Sequence, residues 1–341
     1  MTRAPIRAAL LVLAAAAPYV DAACKLVKIG EIPVTVQGVP VAPVSLDGHP
    51  ARLVVDTGAY SSLLWHTAVA AFGLKRFAVS GGTLVGAGGR TDSELVNVRE
   101  FALAGYVVHD LMFIATAPTD ASRLDAGGVA GVLGEDFLSR LDVEFDLAAG
   151  RVRLFQPQGC SGDQVVYWAP AYFMVALHTL SPESRWLEAN ASLNGHEVLA
   201  LFDTGAGRST VMARVARRPG MGPAADAGSA GALHGLGPTQ ITTSSARFES
   251  LTIGQETFHN PHLLIADVFA AQREVHVGSY IKQSAFNEPD LIIGADFFLA
   301  HRVYIARSQG RIYFTYVGLP VFQEDPGAAA IAPATPLESP H

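Results

Sequence analysis

Two aspartates, Asp56 and Asp203, each stand at the end of an apolar run and begin the same four residues, Asp-Thr-Gly-Ala. A carboxylate buried at a strand end is costly when it stands alone. Two carboxylates in contact cannot both ionise cheaply, so they share one proton and titrate as a pair. One member can then take a proton from a trapped water. The other can polarise a carbonyl and protonate a departing amine. That constellation hydrolyses an amide with no covalent intermediate and no metal. A lone Asp-Thr-Gly is a weak signal, since Asp and Gly are ordinary turn formers. Its recurrence at equivalent points of a repeat is a strong one.

The repeat is legible around both aspartates. "VSLDGHPARLVVDTGA" and "ASLNGHEVLALFDTGA" align without a gap at a separation of 147 residues. Asp47-Gly48 and Asn194-Gly195 lie between apolar runs, and such pairs mark a β-hairpin whose second strand delivers the Asp. Downstream, "LVGAGG" answers to "LHGLGP", and "GVLGEDFL" to "LIIGADFF". "DVEFDLAAGRVRLF" answers to "RVYIARSQGRIYFT", each reading as two strands around a Gly-ended turn. So long a period implies a duplicated domain rather than a solenoid. A two-fold axis between the halves would bring the Asp turns face to face. Thr57 and Thr204 could then hydrogen-bond across it, and Gly58 and Gly205 let backbone N–H groups approach the carboxylates. Each half reads as short strands with one helix after the motif, around "LLWHTAVAAFGL" and "STVMARVARR".

The flanks place these halves in a compartment. Arg3 and Arg7 precede "AALLVLAAAA" and then "PYVDAAC", the pattern of a secretory leader cut after Ala22. Export to a bacterial periplasm or to the outside is therefore expected, with no transmembrane span. Half of the 341 residues are hydrophobic, 16% are charged and the net charge is −7, which argues against disorder and against a nucleic-acid partner. The two cysteines, Cys24 and Cys160, read most economically as one disulfide, with two unpaired buried thiols as the alternative. Cys24 could also carry a lipid, although Asp21 is wrong for such a site. No cofactor is implied, and no spaced His/Cys set suggests a metal. The expected organisation is a leader over 1–22, one half over 23–160, a second over 161–318 and a flexible Pro/Ala-rich tail over 319–341. "QPQGCSGDQ" has linker composition, and the second half carries an extra stretch, 271–289, with no assigned role.

With "DTGA" twice and a later apolar-apolar-Gly twice, the sequence resembles the retropepsin-like and pepsin-like aspartic proteases, including exported bacterial members. The resemblance implies an all-β, two-lobed acid protease fold with an internal pseudo-two-fold, both halves in one chain and the molecule a monomer. It implies catalysis by Asp56 and Asp203, and active-site turns supported by Thr57, Gly58, Ala59, Thr204, Gly205 and Ala206. Gly134 and Gly294 fall at the structural turns. By resemblance, Gly86, Ala87, Gly88 and Gly89 would form one substrate-covering flap, and Gly235, Leu236 and Gly237 the other. Neither flap carries the Tyr of pepsin, and a pair of Gly-tipped hairpins is more like the retroviral arrangement. Pepsin-like enzymes follow the Gly with a hydroxyl residue that favours the charged carboxylate. Ala59 and Ala206 cannot, so a mildly acidic to near-neutral optimum is expected for an endopeptidase acting on extended peptide or protein substrates.

Other readings explain less. "GAGGRTDS" and "DTGAGRST" lack the setting or the Gly-Lys of a phosphate loop. Glycosidases also use two carboxylates, but nothing in that chemistry asks for duplicated Asp-Thr-Gly turns. His49 and His196 match through duplication. The rival from another class is a catalytically silent module that binds extended peptides by strand pairing. Binding alone does not need both aspartates, which favours the enzyme.

Overall fold

The computed structural model describes residues 24–77, 82–117, 128–178, 185–224, 227–277 and 288–323. The expected leader, most of the tail and the middle of the 271–289 stretch lie outside these residues.

The fold is mostly β-sheet and repeats itself in two halves. In the first, His49–Val55 pairs antiparallel with Pro40–Leu46 through a turn at Asp47-Gly48, both at positive φ (49° and 82°). Asn194-Gly195 repeats this at 49° and 78° between Glu188–Leu193 and His196–Phe202. Asn and Asp tolerate the left-handed region and Gly occupies it freely, which is why these pairs close two-residue hairpins. The second strand of each hairpin then pairs in parallel with a short apolar strand from far along the chain. Leu53, Val54 and Val55 sit beside Gly131, Val132 and Leu133, while Ala200, Leu201 and Phe202 sit beside Leu291, Ile292 and Ile293. These strands are buried, as their unbroken apolar runs require.

The halves meet in a six-stranded sheet to which each gives three strands. Its order is Lys25–Pro33, Arg151–Gln158, Asp142–Asp146, His301–Ala306, Arg311–Tyr316 and Phe173–Ala176. The seam runs through Val143, Glu144 and Phe145 opposite Ile305, Tyr304 and Val303. Phe145 packs edge-on against Phe298 of the other half at 5.3 Å, and one apolar core continues across the join. Burying a Phe side chain contributes roughly 1.5–3 kcal/mol, so the seam is a core rather than a loose domain contact. Charge is tied into it as well. Buried Glu144 accepts from Tyr167 Oη at 2.7 Å and pairs with Arg153 and with Arg302 across the seam. The Cys24–Cys160 disulfide closes the outer edge.

Three expectations are corrected in detail. "LLW" and "TVM" are strands, Leu63–Trp65 and Thr210–Met212, and the helices that follow are short, His66–Ala71 and Ala213–Ala216. A three-residue apolar run does not reveal its period, and here sheet pairing decides. The expected linker is partly strand, since Arg151–Gln158 enters it and a 3-10 turn, Gly162–Val165, follows under a Ser161/Gln164 capping box. The tail does not begin loose. Phe322 is buried edge-on to Phe258 at 4.9 Å, and its carbonyl accepts the His262 N–H at 2.6 Å. An aromatic so close to the last strand covers apolar surface that would otherwise face water. Among the described residues, no helix is long and apolar enough to cross a membrane.

Candidate active site

Each aspartate is carried by the strand before it and held by the strand beside it. The Asp56 N–H donates to the Leu133 carbonyl at 3.0 Å, and the Asp203 N–H to the Ile293 carbonyl at 2.9 Å. The chain then turns, and the carboxylate folds back over its own turn. Asp56 Oδ1 accepts the N–H groups of Gly58 and Ala59 at 2.8 and 2.9 Å. Asp203 Oδ1 accepts those of Gly205 and Ala206 at 2.8 and 3.2 Å. These bonds offset part of the cost of removing the carboxylates from water.

The two turns meet across the pseudo-two-fold. A Cβ on Gly58 would collide with the carboxylate of Asp203, and a Cβ on Gly205 with that of Asp56. Only Gly lets the carboxylates approach this closely. The threonines lock the arrangement, both buried. Thr57 Oγ1 donates to the Phe202 carbonyl at 2.8 Å and accepts the Thr204 N–H at 3.0 Å. Thr204 Oγ1 donates to the Val55 carbonyl at 2.7 Å and accepts the Thr57 N–H at 3.1 Å. Each hydroxyl is thus satisfied only by the opposite half.

Electrostatics follows from this geometry. Burial raises the pKa of both carboxyls. At Asp56 it is opposed by the hydrogen bond with Asp203 and by the turn N–H groups. At Asp203 the charge of Asp56 adds to it, so Asp203 lies well above the usual carboxylate range. Burial and the mutual repulsion of the two charges both favour a proton shared by the pair.

Both expected flaps are hairpins, Thr83–Gly86 with Gly89–Leu103 and Gly228–His234 with Gln240–Arg247. Their tips touch. The Gly88 N–H donates to the Leu236 carbonyl and the Thr239 N–H to the Gly88 carbonyl, both at 2.8 Å. Gly86 also lies against Leu236, Ala87 against Gly235, and Gly88 and Gly89 against Gly237. Leu84 of the first flap and Leu236 of the second both pack on the apolar cluster that contains Val54 and Val132, next to Ala59 of the Asp turn. The two hairpins therefore meet each other and rest beside the Asp56 turn.

A layer that sequence reasoning missed supports the turns from beneath. Ser62 Oγ donates to Asp136 Oδ1 at 2.6 Å and accepts the Gly134 N–H at 3.0 Å. Ser209 Oγ donates to Asp296 Oδ1 at 2.7 Å and accepts the Gly294 N–H at 2.8 Å. The carbonyls of Ala59 and Ala206 accept the N–H groups of Glu135 and Ala295. Both serines stand at the same offset from their Asp, so the duplication itself carried the signal. A second missed feature has no counterpart in the other half. Buried Glu135 pairs with Arg307 across the join, whereas Ala295 and Leu147 hold the matching positions. Burial pushes Glu135 up to about 8 against the pull of Arg307, and the charge of Asp56 adds to the rise. Among the described residues, no three His, Cys, Asp or Glu gather where a metal ion could be held.

A family model described as aspartyl protease matches the chain twice, over residues 42–137 and over residues 189–297. The two matches take in both Asp turns and both later glycines and together cover more than half of the chain. No curated protein matches it.

Proposed function

The chain belongs to the aspartyl protease family, and from that premise we propose that Asp56 and Asp203 hydrolyse internal peptide bonds through a shared water. The observation that carries the proposal is the pair of carboxylates brought together at the two-fold by turns whose threonine hydroxyls bond only to the opposite half. One carboxyl of the pair holds the shared proton and donates it to the substrate carbonyl oxygen, while the other, ionised, takes a proton from the water as it attacks. Collapse of the tetrahedral intermediate returns a proton to the departing amine, and no covalent enzyme intermediate forms. An extended substrate passes between the dyad and the flap strands, whose parting admits it.

Finer features of this reading rest on the same site. Neither carboxylate receives a side-chain hydroxyl from the turn, because Ala59 and Ala206 stand there, so activity peaks at mildly acidic to near-neutral pH. With both aspartates in one chain, the enzyme works as a monomer without a cofactor. The Cys24–Cys160 disulfide suits a protein exported behind a leader cut after Ala22, its halves spanning 23–160 and 161–318.

The test is incubation of the mature chain with a mixture of denatured proteins between about pH 3 and 8, around and above the ordinary Asp pKa. New internal cleavage sites with a maximum above about pH 4.5 are expected. No cleavage at any pH, with peptides still bound, would overturn the reading in favour of a peptide-binding module.

A further inference from the structure

Four carboxylates of the described residues are buried outside the dyad and its supporting turns. Glu135 pairs with Arg307. Glu144 pairs with Arg153 and Arg302. Asp142 accepts from Ser308 Oγ at 2.8 Å and from Tyr304 Oη at 3.3 Å. Glu188 is the exception. It is 1% exposed, and among the described residues its Oε1 has no hydrogen-bond partner. Burial moves its pKa upward to about 7, and among the described residues no cation pulls it back. A carboxyl left in this state weakens the fold, so a reason for keeping it must be sought in what approaches it.

Its place in the repeat supplies that reason. Glu188 faces Leu201 across the hairpin, two residues before Asp203 and on the same side of the strand. In the first half, Val41 faces Val54, two residues before Asp56. Val41 and Val54 belong to the cluster on which Leu84 and Leu236 of the two hairpins pack, beside Ala59 of the Asp turn. Leu63 in that cluster is matched by Thr210, since each sits opposite the equivalent strand at Val132 and Ile292. The first half thus presents an all-apolar wall to the substrate. The second presents Glu188 and Thr210 at the equivalent points.

Building on the protease reading, we propose that Glu188 is a specificity-determining residue. The pocket of the second half takes a basic side chain, Lys or Arg, next to the scissile bond, while that of the first half takes a large apolar one. The substrate supplies the cation that no described residue provides. The unlike walls also fix the direction in which a peptide lies across an otherwise two-fold site.

The experiment is cleavage profiling of a peptide library by the wild-type chain, by Glu188→Val, which installs the counterpart residue, and by Glu188→Gln, which keeps the shape without the charge. Wild type should cut between a basic and a large apolar residue, always in one order. Both variants should lose about 10–100-fold in kcat/KM for the basic substrates, the size expected when a charge-assisted contact is removed, and Glu188→Val should gain on peptides apolar at both positions. A wild-type profile apolar on both sides, or one that both variants leave unchanged, would overturn the proposal. Fluorescence anisotropy with two labelled peptides, alike except for Lys or Leu at that position, reads the pocket without turnover. Absence of cleavage together with a Lys preference that Glu188→Val abolishes would refute the protease reading and keep the pocket. Equal binding of the two peptides by wild type and variant would refute the pocket.

Discussion

Replacing Thr57 by Val tests the join of the two Asp turns. Valine fills nearly the same space, so the change removes a hydroxyl and little else. The structure assigns that hydroxyl two bonds, both to the opposite half: to the Phe202 carbonyl at 2.8 Å and from the Thr204 N–H at 3.0 Å. Phe202 and Thr204 are buried, so neither group finds water in exchange. Each stranded group costs about 1–3 kcal/mol, giving about 2–6 kcal/mol for the substitution. That is a large part of the roughly 5–15 kcal/mol by which a folded domain is ordinarily stable. Thermal unfolding read by near-ultraviolet circular dichroism should show Tm lower by roughly 4–20 °C. Thr57→Ser, which keeps the oxygen, should recover most of the loss. Thr57→Val and Thr204→Val should combine with less than additive cost, because they serve one interlocked set of bonds. A Thr57→Val protein melting within about 1 °C of wild type, or a Ser variant as damaged as the Val one, would refute the reasoning.

Further outcomes follow from the buried charges and the disulfide. The folded pKa of Glu188, about 7, lies above its ordinary 4.5, so the folded state holds the proton more tightly. Burial penalises its charged form, so stability is highest below pH 4.5 and falls as pH rises toward and through 7. Urea unfolding at pH 5 and pH 8 should show that fall in wild type and a smaller one in Glu188→Val. Arg307→Leu leaves the buried Glu135 carboxyl without its partner and should cost about 1–3 kcal/mol, much of it restored by adding Glu135→Ala, the pair found in the other half. Equal midpoints for the single and double variants would contradict this. Reduction of Cys24–Cys160, which bridges a separation of 136 residues, should lower the unfolding free energy by up to about 5 kcal/mol, read from denaturation with and without reductant.

Much of this fold was legible because the chain states it twice. Asp47-Gly48 and Asn194-Gly195 each announced a hairpin by a local rule, and their equal offsets from Asp56 and Asp203 announced the duplication. The Gly-rich stretches announced two further hairpins for the same reason. What escaped was either non-local or asymmetric. Ser62 and Asp136 lie 74 residues apart in the chain, and only the fold brings them within 2.6 Å. Glu135, Arg307 and Glu188 break the repeat, so the comparison that revealed everything else passed over them. The divided fate of "LLWHTAVAAFGL" was hidden because three apolar residues suit a strand or a helix equally, and only their neighbours decide.

The central claim is that Asp56 and Asp203 act as one catalytic unit. Its most direct test is kcat on a single peptide, cut by the wild-type chain and by Asp56→Asn and Asp203→Asn, with each variant shown to be folded by its melting curve. Residues acting as a unit fail together, so each substitution alone should lower kcat by about 10⁴-fold or more, and the double variant should be scarcely worse than either. Either single variant retaining activity within about tenfold of wild type would contradict the account, since a tenfold change is only about 1.4 kcal/mol of barrier and no essential acid or base is removed so cheaply.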